Sequence, residues 1–261
     1  MAQYFFDPND WEVGDGASVL PFSVPASWST FEIEQDSHGE KYLRLKRTLF
    51  DFEAILFEFV PEAVDAEVYL DSFQDTGQDS RNRSSPVIRS TVDGLTYYTG
   101  GFFWSDLWVV VRRSDGTNNV LSKGGSTVST ERRLGNRFRV NGADLKTRIW
   151  FGDEGDDEYD LVGNEPTTWT NEITDSVLAS AGLTGMLFAG DSSTDFTVDR
   201  RVYFAGIGTD GDPAPTGPLS TTEAFALRHN PRTNKVIPVL SSPTVTDIGA
   251  ACVRPRVTKG Y

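Results

Sequence analysis

The chain has 261 residues, 38% hydrophobic and 12% aromatic, enough for one large sandwich or two small domains and too apolar for disorder. A formal charge of −14 and a pI of about 4.5 argue against binding to duplex nucleic acid or insertion at an anionic membrane. Cys252 is the single cysteine, which excludes an internal disulfide framework and a clustered thiolate metal site, and no apolar run is long enough to cross a bilayer as a helix.

The N-terminal residues MAQYFFDPND lack a basic stretch leading into an apolar one, so no secretion signal is expected, and synthesis in a cytosol is. Alternation of apolar and polar residues predicts strands over 3–6, 30–35, 41–47, 53–59, 67–73, 87–92, 96–103, 107–113 and 119–122. In 41–47 either face suits a core, because Tyr42 and Leu43 fall on opposite sides. Turn residues punctuate the series at Asp93-Gly94, Asp115-Gly116 and Gly124-Gly125, and Gly-rich stretches lack the setting of a phosphate loop.

The strongest local signal is Asn141-Gly142 between two strand-like runs, LGNRFRV and ADLKTRIW. Both residues tolerate positive φ, so a two-residue type I′ hairpin is expected, with Val140 opposite Ala143, Arg139 opposite Asp144 and Phe138 opposite Leu145. One face then collects Leu134, Phe138, Val140, Leu145 and Ile149, and the other Arg137, Arg139, Asp144, Lys146 and Arg148. Such a division belongs to an antiparallel sheet covered by a core on one side. A short helix is expected over 173–181, capped by Thr170 or Asn171 and closed by Gly182, followed by strands over 184–189 and 197–207.

The expected organisation is a β-sandwich over residues 1–207, a Pro/Gly linker over 208–220 and a basic arm of short strands over 221–261. Prolines 213, 215 and 218 favour an extended linker, and the arm is too short to bury a core of its own. From Phe225 onward six basic residues and one acidic residue give +5, leaving 18 basic and 37 acidic residues, a charge of −19, in the rest. Opposite charge therefore favours docking of the arm, through Arg228, Arg232, Lys235, Arg254 and Arg256, on the body or on a neighbouring subunit.

The aromatic run at Tyr97, Tyr98, Trp104 and Trp108 suits either sugar stacking or a subunit interface. Asp153, Asp156 and Asp157, in the run DEGDDEYD, are the candidate oxygen ligands for calcium, against the plainer reading of a solvated acidic loop. Glu32, Glu34 and Asp36 share one face of a strand without the spacing that glycoside hydrolysis on such a strand uses. His38 and His229 have no attendant triad, so no catalytic residues are expected.

Several segments together carry a family likeness: MAQYFFDPNDWEVGDG, WSTFEIEQDSHGEKYLRL, RFRVNGADLKTRIW, ITDSVLASAGLTGMLFAG and VYFAGIGTDGDPAPTG, spanning most of residues 1–217. This order resembles concanavalin A-like, laminin-G-like jelly-roll proteins of tailed-phage virions. The closing VIPVLSSPTVTDIGAACVRPRVTKGY resembles the junction into immunoglobulin-like modules of phage fibres, without such a module following it. The resemblance implies an all-β, two-sheet antiparallel jelly roll and a place in the virion after synthesis in the host cytoplasm. It also implies other virion subunits, a homo-oligomer among them, as partners. The first expectation is a non-enzymatic virion structural protein on head, neck or tail, with no cofactor unless calcium binds. The alternative is a carbohydrate-binding adhesion module of a tail fibre that contacts host glycan, and the third a glycoside hydrolase.

Overall fold

The computed structural model describes residues 2–36, 39–47, 52, 54–74, 83–103, 106–125, 132–152, 165–189, 198–217, 226–230 and 235–238. In chain order these hold β1 (Ala2–Phe6), a single 3-10 turn (Pro8–Asp10), β2 (Phe22–Ser23), β3 (Thr30–Gln35), β4 (Lys41–Arg47), β5 (Ile55–Phe57), β6 (Ala66–Gln74), β7 (Arg83–Ser90) and β8 (Tyr97–Phe103). Then follow β9 (Asp106–Ser114), β10 (Thr117–Gly124), β11 (Arg132–Asn141), β12 (Asp144–Phe151), β13 (Asn171–Thr174), β14 (Leu183–Ala189), β15 (Val198–Thr209), β16 (Ala226–Asn230) and β17 (Lys235–Pro238).

The larger sheet runs β13-β12-β11-β6-β15-β1-β16-β17, with β4 also on β15 and β3 on β4. The smaller runs β10-β9-β8-β7-β14-β5-β2. Among the described residues every strand pairing is antiparallel except that of β16 with β1. The two sheets face one another as a jelly-roll sandwich, which is the expected fold class. β15 organises the larger sheet: its first part pairs with β4, its last part with β1, and a bulge between Val202 and Phe204 marks the change.

The inward alternation supplies the core. Val68, Leu70, Phe138, Val140, Leu145, Val202 and Ile207 of the larger sheet meet Ile55, Phe57, Ile88, Tyr98, Val110, Met186 and Phe188 of the smaller one. Each such side chain stabilises the fold by about 1.5–3 kcal/mol. In β4 the Leu43 and Leu45 face is the core face and Tyr42 points the other way. Phe22 is an aromatic hub, its ring 4.8 Å from Phe6, 5.4 Å from Phe31 and 5.6 Å from Phe57.

The central hairpin keeps its predicted faces and changes its register. Asn141 pairs with Asp144 and Val140 with Leu145, so the loop is Gly142-Ala143. Gly142 alone takes positive φ, 57°, the requirement of a II′ rather than a I′ turn. Contacts from elsewhere select it: the Gly142 amide donates to Asp65 at 2.7 Å and its carbonyl accepts from Arg89 at 2.7 Å. Each partner moves by two residues, Val140 from Ala143 to Leu145, and an even slip leaves every side chain on its own face.

The helix expected over 173–181 is not there. Ile173 and Thr174 extend β13 along the edge of β12, where β-branched residues fit. Asp175 then accepts from the Val177 amide at 2.9 Å, a local turn that competes with a helical start. Among the described residues the one helical turn is Pro8–Asp10, capped by Asp7.

The stretch expected as a linker opens within β15, which runs to Thr209. It turns at Asp210 and Gly211, whose φ angles are 56° and 93°, and comes back over the sheet. A methyl group on Gly206 would lie 1.9 Å from the Pro215 carbonyl oxygen, and one on Gly208 2.2 Å from that of Asp212. Glycine at these positions is what lets the returning backbone touch β15. Beyond residues 218–225, β16 lies parallel beside β1, Gln3 opposite Ala226, and β17 pairs back on β16.

Candidate functional site

The outer face of the larger sheet is where the sequence placed a simple charged surface, and it is largely covered. Along β6 every second residue faces outward: Glu67, Tyr69, Asp71 and Phe73, all buried. β11 adds Arg133, Arg137 and Arg139, and β12 adds Arg148 and Trp150. The period of two sets the composition of this face, and the returning segment at Pro213–Pro215 helps to close it.

At its centre lies an aromatic layer. Tyr69 and Trp150 stack at 5.5 Å and 7°, and Gly135 leaves the room in which the indole lies flat, since a methyl group there would meet it at 2.2 Å. Burial pushes the Tyr69 phenol well above its ordinary range.

On one side of this layer Asp71 takes two bonds from Arg133, at 2.7 and 3.0 Å, and Glu40 takes two more from the same guanidinium, at 3.0 and 2.9 Å. The guanidinium also sits 3.9 Å from the centre of the Tyr203 ring. Burial raises the Asp71 carboxyl above its usual range against the opposing charge of Arg133, and burial pushes Tyr203 up to about 12.

On the other side is a second node built on Glu67, which is 1% exposed. One of its oxygens accepts from Arg137 and, at 2.9 Å, from the Ala214 amide, while the other accepts from Arg139. Arg137 also donates to the Ala214 carbonyl at 2.8 Å and to Glu165 at 2.8 Å. Glu165 accepts in addition from Arg148, which reaches the Thr167 carbonyl at 3.2 Å. The side chain of Trp169 is half-buried, with the Arg148 guanidinium 4.2 Å and that of Arg139 5.3 Å from its ring centre. Together with Gln3, Pro166 and Pro213–Thr216 these groups line an open cleft of about 560 Å³.

The cleft has the ingredients of a ligand site: an aromatic ring at its side, a fixed ionic floor and walls of proline and backbone. A buried Arg–Glu network this well bonded holds its geometry before any ligand arrives.

The residues singled out from sequence lie elsewhere. Tyr97 and Tyr98 are buried on opposite faces of β8, with no ring face open for stacking. Tyr98 belongs to the main core and its hydroxyl bonds Asp175 and the Leu178 amide, while the Tyr97 hydroxyl donates to the Phe52 carbonyl at 2.7 Å. Trp108 packs, partly buried, against Phe102, Leu134 and Ile149. Trp104, Asp153, Asp156 and Asp157 lie outside the described residues, and among those described no group of His, Cys, Asp or Glu is placed to hold a metal. Arg228 and Lys235 stand in β16 and β17, and Arg232, Arg254 and Arg256 lie outside the described residues.

Arg137, Arg139 and Arg148 were legible as one face, while Glu67, Glu165 and Trp169 were not. The alternation Gly206–Gly208 followed by spaced prolines marks a backbone lying on a sheet, and it is the sequence signal for the returning segment that closes over them.

No family model matches the chain, and no curated protein matches it in sequence. Among solved structures it is similar to the carbohydrate binding module CBM66 from Bacillus subtilis, at 14% identity and a TM-score of 0.45, over 71% of this chain and 96% of that one. It is also similar to lectin I-B4 from Griffonia simplicifolia in its metal-free form, at 10% identity and a TM-score of 0.45, over 80% and 99%. The metal-free exoplasmic/lumenal domain of VIP36 is a third, at 11% identity and a TM-score of 0.41, over 80% and 91%. No residue role passes from these proteins to this chain.

Proposed function

We propose that the chain is a glycan-recognition module that binds without hydrolysing, with the cleft beside Trp169 as its site. The observation that carries this reading is a half-buried indole, backed by the Arg148 guanidinium, on a cleft of about 560 Å³ whose polar groups are already held in place. Sugars are bound by an aromatic surface against their apolar faces and by fixed polar groups on their hydroxyls. A preformed floor lowers the ordering cost of association. The cleft's two carboxylates suit a frame rather than an acid–base pair, because both oxygens of Glu67 and of Glu165 accept from arginine.

The resemblance to virion jelly rolls supplies the finer part of the reading, in which such a module is displayed on a phage particle and meets the host's surface glycan. The test of the reading is binding to a broad panel of oligosaccharides at millimolar concentration, with Trp169→Ala as the variant. Loss of a ring from a sugar site costs roughly tenfold or more in affinity. The expected result is therefore at least a tenfold weaker Kd, measured below the variant's own melting temperature. A panel with no binder, or a variant that binds as well as the parent, overturns the reading.

A further inference from the structure

Resting on the glycan reading, we infer that the sugar this cleft takes carries a carboxylate: the ligand is an acidic, uronate-type saccharide. The inference comes from which groups of the lining are used and which are left. Three guanidinium groups, of Arg137, Arg139 and Arg148, stand against two carboxylates, of Glu67 and Glu165, so the lining holds one positive charge in excess. It does so on a chain whose formal charge is −14.

The carboxylate acceptors of the lining are engaged, while the Gln3 amide oxygen and the Thr167 and Thr216 hydroxyls remain as neutral ones. Both oxygens of each glutamate accept from arginine, and the carbonyls of Ala214, Thr167 and Pro213 accept from Arg137, Arg148 and Gln3. The donors are not exhausted. Arg139 gives Glu67 its Nε–H, and its terminal nitrogens belong to a side chain 35% exposed on the cleft. A guanidinium carries five N–H groups in a planar fork, and a ligand carboxylate offers acceptors alone. Neutral sugar hydroxyls use acceptors as well as donors, and every charged acceptor of this lining already accepts from arginine, whereas Arg139 keeps charged donors.

The position is also right. Arg139 lies 5.3 Å from the centre of the Trp169 ring, so a sugar packed beside that indole brings a ring substituent within reach of the guanidinium. Beyond the lining, Asp65, which pairs with Arg89, and Asp212 share a small neighbouring groove with Arg139, and charges farther than about 8 Å are largely screened at physiological salt.

The experiment is calorimetric titration of the full chain with oligomers of galacturonate, glucuronate and mannuronate, each beside its carboxyl-reduced, neutral counterpart. A hydrogen-bonded charge pair of this kind is worth roughly ten- to a hundredfold in affinity. The expected result is that at least one uronate oligomer binds more than tenfold tighter than its reduced form, and that its affinity falls as salt rises. Arg139→Gln, titrated below its own melting temperature because the change also removes a bond to the buried Glu67, should bring the affinities of the two forms together. Equal binding of acid and reduced forms by the parent chain overturns the inference and leaves the glycan reading standing. Binding of neither form, with no binder elsewhere in the panel, overturns that reading and the inference with it. A preference for the acid form that survives in Arg139→Gln means that Arg139 does not hold the carboxylate, and overturns the inference as built.

Discussion

Asp175 replaces the expected helix with a latch. Its carboxylate accepts from the Tyr98 hydroxyl at 2.5 Å and the Val177 amide at 2.9 Å, and it pairs with Arg112. Burial acts to raise its pKa, but the Tyr98 hydroxyl, the Val177 amide and Arg112 outweigh it and hold the carboxyl below the ordinary range. Burial and the same carboxylate push the Tyr98 phenol up. The sign of the linkage follows: a carboxyl depressed in the folded state contributes stability above its unfolded pKa of about 3.9, and that stability fades as pH falls through the lower, folded value. Asp175→Asn should therefore destabilise the fold at pH 7 by about 1–3 kcal/mol, the range for hydrogen bonds to a charged group. The gap from the parent should narrow as pH drops below about 4. Denaturant melts of both chains from pH 7 to pH 3 decide it, and a gap constant over that range would remove the latch.

At the scale of elements, β15 and its return decide whether a site exists at all. Gly206 touches the Pro215 carbonyl, and that contact keeps the Ala214 amide and carbonyl on Glu67 and Arg137. In Gly206→Ala the obstacle is backbone, so the returning segment must lift. The expected outcome is a loss of about 1–3 kcal/mol, the range for overpacking, with weaker glycan binding than the parent shows. Unchanged stability and unchanged binding would mean that the return is dispensable.

The same elements show what could be read without coordinates. The strands over 30–35 and 41–47 were legible to the residue, because long alternating runs bounded by turns report their own period. The hairpin faces were legible too, since they depend on parity alone. Its turn type was not, because Asp65 and Arg89, distant in sequence, bind Gly142. The helix failed for a related reason: propensity over 173–181 is overruled by the open edge of β12 and by the Asp175 side chain. The site was half legible. Three arginines on one face are a local pattern, whereas their carboxylate partners Glu67 and Glu165 arrive from β6 and from a loop, and only the folded sheet brings them together. Conversely, the aromatics at 97–108 suited a sugar or subunit surface because they are dense, and among the described residues Tyr97 and Tyr98 serve two opposite faces of the buried β8.

For the whole molecule, the question is what keeps two sheets in one arrangement at the end where the core thins into loops. Arg89, on β7 of the smaller sheet, provides much of the answer. It is 4% exposed and takes a φ of 56°, a left-handed conformation that costs a non-glycine residue of the order of 1 kcal/mol. The strain aims its guanidinium at three carbonyls: Val64 just before β6 at 2.6 Å, Gly142 in the β11–β12 turn at 2.7 Å, and Leu178 in the crossing from β13 to β14 at 2.6 Å. Two of these belong to the larger sheet and the third to the segment that passes between sheets, so one side chain ties both layers and three loops. Arg89→Met keeps the stem and its packing but removes all three donors, leaving buried carbonyls unpaired at about 1–3 kcal/mol each where water cannot replace the bond. With partial rescue by solvent the variant should lose about 3–5 kcal/mol, the range for breaking a buried charged contact. That is a large fraction of the roughly 5–15 kcal/mol that holds a typical domain folded. Equilibrium unfolding in urea measures it. If Arg89→Met unfolds at the parent's midpoint, the end of the sandwich is held by its core alone.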